Sequence, residues 1–383
     1  MTKQKHLYAL TLSSVCIIIG LRWDISWHGT VGRDTFFTPP HVLVYLAAIL
    51  GGLLSGIQVL YYTLAAPAEK KSGLVKVWGV FYSSLGALFC IWGAIAMLTS
   101  APFDNWWHTA YGLDVVVVSP PHTLLGLGML SIQLGTCISI SKHLNLLEEK
   151  PSTNVSLQRE KTVLRALFII TAASLLSMIS LWVIDYTTSR LQRSALFYEV
   201  IVVAILLFLP AFGEQLRMRF GMTMIALAYF FLTAITNWIL QMIPGQPMLG
   251  PILNPVTHLQ PLPFPLLLFV PALAMDLLLQ NAKTRSWQKA ALMSIAFVLL
   301  LFAVQYPLSG FLVQSPGARN WFFGSDTWPY NMPPDWEFRY QFQPGEESPL
   351  PDLLQGITLA IVLGFFVSWL SLRWGSWLQQ IKR

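Results

Sequence analysis

Charge is what this chain has least of. Only 11% of its 383 residues are Asp, Glu, Lys or Arg, against about 25% in an ordinary soluble domain. That supply is too small to cover a water-exposed surface, which excludes a soluble multidomain enzyme. Cysteine is also scarce. Cys16, Cys90 and Cys137 are an odd number, show no C-x-x-C spacing, and each lies in an apolar run. This excludes a disulfide framework and a thiolate metal site, and leaves small apolar packing as their role. No H-E-x-x-H occurs and no Glu is placed as a general base, so a zinc-dependent hydrolase ranks low. No A-x-A-like cleavage site follows the first apolar run. Arg22, Trp23 and Asp24 come instead, so that run is read as a retained span.

What the chain has is apolar length. Hydrophobic residues make up 55% of it, in runs of about 20 residues, long enough to cross a bilayer. Ten spans are predicted: 7–24, 40–65, 76–100, 120–141, 162–184, 196–213, 221–242, 262–280, 290–313 and 353–374. The fold class is all-α, a polytopic membrane helical bundle. The N-terminus, alternate loops and the C-terminus hold 18 of the 24 Lys and Arg. The opposite loops hold six, all Arg: Arg22, Arg33, Arg190, Arg193, Arg319 and Arg339. The positive-inside rule then puts both termini in the cytoplasm and makes the chain five outward-pointing hairpins in the cytoplasmic membrane. The net charge of +6 faces the inner leaflet, where it suits anionic lipid; its placement argues against nucleic acid. A polar linker at 143–161 separates residues 1–142 from 162–383. A long outer loop, 314–352, is rich in Pro, aromatics and acid, and is expected to cap the outer face.

One pattern is repeated. Asp24 to His41 reads D-I-S-W-H-G-T-V-G-R-D-T-F-F-T-P-P-H, and Asp104 to His122 reads D-N-W-W-H-T-A-Y-G-L-D-V-V-V-V-S-P-P-H. Both copies fall at outer tips, of hairpins one and two. Trp23, Trp27, Trp106 and Trp107 flank them, as an interfacial aromatic belt would. Asp24 and His28 are i, i+4, as are Asp104 and His108, so each pair shares a helical face if its helix runs that far. Thr38 and Ser119 are natural N-caps and Pro is favoured at the first helical positions. His41 and His122 therefore sit in the first turn of the returning helix. Each hairpin would gather one carboxylate and two imidazoles, with Gly32 and Gly112 permitting the sharp path between. Asp34 and Asp114 come too soon after Gly to share that face. They are expected to orient an imidazole or tie down the loop, with Arg33 as counter-ion to Asp34. Imidazole plus carboxylate suits copper, zinc or iron(II), and open positions suit activation of oxygen or water. Ligand type alone does not choose the metal. A duplicated structural hairpin, closed by Asp–His hydrogen bonds, remains the other reading.

The first copy, with R-D-T-x-F-T-P-x-H inside D-x3-H-x12-H, resembles the C subunit of the copper membrane monooxygenases, the particulate methane and ammonia monooxygenase family. The resemblance covers about residues 10–140. In that subunit one site has Asp and two His at the spacing of Asp24, His28 and His41. A second has Asn and two His at the spacing of Asp104, His108 and His122. Asp104 stands where the family has Asn, and its added charge would favour a more tightly held cation. The resemblance implies copper, sites at the outer, periplasmic face, partner subunits, and oxidation of a small apolar substrate with O2. Self-association could replace the partners. The family's soluble cupredoxin-like part has no counterpart here.

The second half carries fewer candidates. Asp185 and Glu199 bracket the third tip with Arg190 and Arg193 between, read as surface ion pairing. Asn254 and His258 repeat the i, i+4 spacing without a second His. Asn237 and Asp276 lie within spans, where a polar residue is a functional candidate by default. Two other functions compete with an oxidoreductase. A copper transporter should carry a Met or Cys ladder through the bilayer, and none is seen. A non-catalytic scaffold of a membrane complex needs no particular site.

Overall fold

The apolar runs become helices wherever Pro and Gly allow it. The computed structural model describes residues 3–33, 35–112, 119–150, 155–280 and 285–382. Its helices are α1 (Lys3–Thr30), α2 (Pro39–Leu60), α3 (Leu85–Tyr111), α4 (Pro120–Glu148), α5 (Val155–Trp182), α6 (Ala195–Leu206), α7 (Leu209–Leu216), α8 (Gly221–Leu240), α9 (Phe269–Leu279), α10 (Ser286–Gln314) and α11 (Leu350–Leu378). With α6 and α7 counted as one span, nine helices among the described residues are long and apolar enough to cross a bilayer.

The distribution of side chains confirms the solvent. Along α2 an apolar stripe of Leu46, Ile49, Leu53, Ile57 and Leu60 is exposed, while Ser13, Ser14, Gln133, Thr136 and Ser141 are buried. A water-soluble protein does the reverse. Lipid accepts an apolar exterior, and the small polar residues pack and hydrogen-bond inside, as Ser13 does to the Ala47 carbonyl at 2.7 Å. The chain is an all-α, multi-pass membrane protein.

Two predicted spans are corrected. The third does not begin at 76. Residues Val75–Val77 (β1) and Phe81–Ser83 (β2) form an antiparallel pair with Lys76 opposite Tyr82. Trp78 and Gly79 take left-handed φ values of 47° and 71°, the conformation a tight hairpin turn requires. The helix starts only after Ser84, whose hydroxyl accepts from the Ala87 amide at 3.4 Å. It then runs through Asp104 and His108 to Tyr111.

The eighth span is the other. Only 11 residues, Phe269–Leu279, are helical there, about 16 Å against a hydrocarbon core of about 30 Å. Pro255, Pro261, Pro263 and Pro265 each lack an amide donor and push the preceding residue out of the helical region. Irregular backbone among spans must be satisfied from within, and here it is. Ser26 Oγ donates to the Gln260 carbonyl at 2.6 Å and Thr30 Oγ1 accepts the Gln260 amide at 2.8 Å. Asn237 Nδ2 donates to the Leu262 carbonyl at 2.9 Å, and Gln305 Oε1 accepts the Leu267 amide at 3.1 Å.

The chain forms two compact units. The first is 1–21, 36–178 and 376–383; the second is 22–35 and 179–375. In the second unit the loop between α10 and α11 is tied down. Trp238 Nε1 and Gln241 Nε2 donate to the Phe322 and Trp321 carbonyls at 2.9 and 3.1 Å. Arg190 donates to the Phe338 and Arg339 carbonyls and pairs with Glu346, and Arg193 pairs with Glu347. The ion pairs of the third tip are thus made with this loop.

Candidate metal centre

The second copy of the repeat is built by how closely α3 and α4 approach. Gly86 and Gly93 on α3 face Gly135 and Gly128 on α4. A Cβ at Gly93 would lie 2.6 Å from the Gly128 carbonyl oxygen, and one at Gly86 would lie 2.5 Å from that of Gly135. Only glycine lets two helix backbones meet at that range. Each contact steps seven residues up α3 and seven down α4. The next step of seven falls on Ser100 and Pro121, both buried. Asp104 lies one turn beyond Ser100, and His122 follows Pro121. The glycine spacing therefore decides which residues of the two arms meet at the tip.

They meet around a carboxylate. His108 Nε2 lies 3.3 Å from Asp104 Oδ2, and His122 Nε2 lies 3.5 Å from Asp104 Oδ1. His122 is presented by Ser119, whose hydroxyl accepts its amide at 3.4 Å as the N-cap. His108 Nδ1 lies 3.2 Å from the carbonyl oxygen of Gly112, which ends α3 with φ 89°. A carbonyl only accepts, so Nδ1 carries the hydrogen. In the neutral ring the Nε2 lone pair then faces the carboxylate. Oxygen and nitrogen lone pairs at this separation repel unless something positive lies between.

In the first copy the ligand types sit at the end of α1 and the start of α2. Gly20 packs on Val44, and Gly51 on Ser13, which sets the register of the two helices. His28 Nε2 is 3.9 Å from Asp24 Oδ2. His41 begins α2 in the first unit, whereas Asp24 and His28 lie in the second. Thr38 holds the N-cap position without the expected side-chain cap bond. Trp27 Nε1 donates to the Arg33 carbonyl at 2.9 Å, so this tryptophan staples the tip. Asp34 and Asp114 lie outside the described residues.

In the second copy each imidazole faces a different oxygen of Asp104, and the three ligand atoms do not all close to within 4.8 Å of one another. Asp104 Oδ1 is buried and accepts no hydrogen bond, although a buried carboxylate oxygen normally has a donor. Ligands about 2.0–2.1 Å from one ion stand about 3.3 Å apart across a tetrahedral angle, close to the separations around Asp104. One carboxylate and two imidazoles in each copy suit copper, zinc or iron(II) alike.

The polar residues of the second half have structural duties. Asp276 accepts the Thr223 amide at 2.8 Å and its hydroxyl at 2.6 Å, capping the start of α8. Asn254 Nδ2 donates to the Trp328 carbonyl at 3.0 Å, and His258 Nδ1 meets Thr257 Oγ1 at 2.9 Å. Glycines spaced by seven in both arms of the second hairpin are the signal that would have fixed its register from sequence. Searches against family models, curated proteins and solved structures find no match to this chain.

Proposed function

We propose that this protein is a copper-binding integral membrane oxidoreductase, or a subunit of one, acting with O2 on a small apolar substrate. The observation that carries the reading is Asp104 with an imidazole on each oxygen and one oxygen otherwise bare. The duplicated motif and its resemblance to the C subunit of copper membrane monooxygenases favour copper over iron or zinc. Asp24, His28 and His41 would hold one ion, and Asp104, His108 and His122 another. Copper supplies redox chemistry toward O2 when bound. The chain's own part is to hold and orient. The Gly112 carbonyl keeps the proton on His108 Nδ1, so that Nε2 serves as the ligand. The apolar lipid-facing surface admits an apolar substrate and keeps bulk water away.

In this reading α9 and the irregular stretch before it make the tenth crossing. The Lys and Arg asymmetry then places both termini in the cytoplasm and both centres at the outer face of the cytoplasmic membrane. Partner subunits or a second copy of the chain would complete the enzyme.

The test is direct. Purified protein, loaded with copper and washed, should retain the metal by elemental analysis and give a Cu(II) EPR spectrum with nitrogen coupling. His28→Ala combined with His108→Ala should lose both. No retained copper in the wild type defeats the proposal. Metal-dependent flux in proteoliposomes would instead indicate metal transport. Unchanged assembly and activity of a host complex after replacing all four motif His would indicate a scaffold.

A further inference from the structure

A second polar site lies within the second unit and uses none of the metal ligands. Arg22 on α1 is 4% exposed. Its Nη2 donates to Asn237 Oδ1 at 2.7 Å, and its Nε is buried with no partner. Asn237 is held from its other end, because its Nδ2 donates to the Leu262 carbonyl at 2.9 Å. The guanidinium borders a cavity of about 30 Å³ shared with Ser180, Thr187, Tyr229 and the irregular stretch Leu262–Leu266. None of the residues lining it is acidic. Asp24, two residues on, points to another face of the helix and toward His28.

A guanidinium with a single neutral partner is costly to keep among spans. Thr187 and Thr233, whose hydroxyls donate to the Val183 and Tyr229 carbonyls at 3.1 and 2.7 Å, are neutral and bring no negative charge to it. What is missing is negative charge, and the cavity has room for about two or three water-sized groups. We propose that this cavity binds a small monovalent oxyanion of the carboxylate type, held by Arg22. A planar fork of N–H donors matches a carboxylate better than a spherical ion. The inference does not depend on copper, and either can fail without the other.

The experiment uses the full chain in detergent with sodium formate as probe. Gluconate at equal ionic strength serves as a carboxylate too bulky for the cavity. The melting temperature should rise with the logarithm of formate concentration and stay flat in gluconate. Arg22→Met should abolish the response. Arg22→Lys should weaken formate binding by about tenfold or more, the worth of a charge-assisted hydrogen bond. Should Arg22→Met not fold, Asn237→Asp sets a carboxylate against the guanidinium from within and should remove the formate response. Octanoate separates the sources. A matching rise means that the head of an acyl chain can enter, and a rise with formate alone means a free ion. Equal melting temperatures of the wild type in formate and gluconate would mean that water fills the cavity, and would overturn the proposal. So would a formate response that survives in Arg22→Met or in Asn237→Asp.

Discussion

The two copies of the hairpin carry the same ligand types and are supported in opposite ways. The first tip is clasped by chain from far away in sequence. Gly32 stands so close to the Tyr330 hydroxyl that a Cβ would collide with it. The Met248 amide donates to the Val31 carbonyl at 2.9 Å, and Ser26 donates to the Gln260 carbonyl at 2.6 Å. Among the described residues nothing lies within 4 Å of where a Cβ at Gly112 would stand, and the two helices of the second tip are brought together by facing glycines. A duplicated sequence thus keeps what the ligands need locally, namely an i, i+4 pair, a positive-φ turn and a Pro-Pro start. The surrounding scaffold is free to differ.

The largest break in this comparison should come from Gly93→Leu. It inserts a side chain where two backbones meet. Overpacking of this kind costs about 1–3 kcal/mol and occasionally more, and the upper end is expected because the obstacle is backbone. Thermal unfolding in detergent measures the cost. Washed protein should fall from roughly two bound metal ions per chain to roughly one, because the first copy does not use this contact. Equal loss from both copies would show that they are not independent.

Next in size is Asp104→Asn, which restores the residue type of the resembling family. It should leave the fold unchanged and weaken metal at the second copy by about 100-fold or less, in the range seen when a group that tunes a metal ligand is lost. Competition with a chelator measures it. Asp24→Asn should weaken only the first copy.

The tips can be compared through their glycines. Gly32→Ala and Gly112→Ala each put a side chain at positive φ, costing about 1 kcal/mol. Gly32→Ala should cost more, because it also meets Tyr330, and Tyr330→Phe should recover part of the difference. Equal melting temperatures for the two alanine variants would deny that the first tip is clasped. The smallest effect is expected from Ser119→Ala, about 1 kcal/mol for a lost N-cap. Ser119→Asp should retain most of that stability.

Much of the fold was legible because apolar length is a direct physical signal. The helices reach Asp24, His28, Asp104 and His108 because Gly20 in α1 and Gly86, Gly93 and Pro102 in α3 are accommodated without a break. The start of α3 was misplaced because Val75 to Ser83 are apolar enough to read as span, although the turn chemistry of Gly79 interrupts them. The shortness of α9 was written in its prolines, but hydropathy outweighs proline when a whole run is apolar. The partners of Arg22, Arg190 and Arg193 were not legible. They lie far along the chain, and nothing local to an arginine names a distant asparagine or a loop carbonyl. The glycine register could have been read, since equal seven-residue steps on both arms of a hairpin fix which positions face each other.

The central claim is that each hairpin draws a carboxylate and two imidazoles onto one cation. Anomalous scattering at the copper edge, from crystals of the copper-loaded and washed protein, addresses it most directly. The account predicts one peak within bonding distance of Asp104, His108 and His122, and another at Asp24, His28 and His41. Density with no peak at either place, and Asp104 bonded directly to an imidazole, would contradict it.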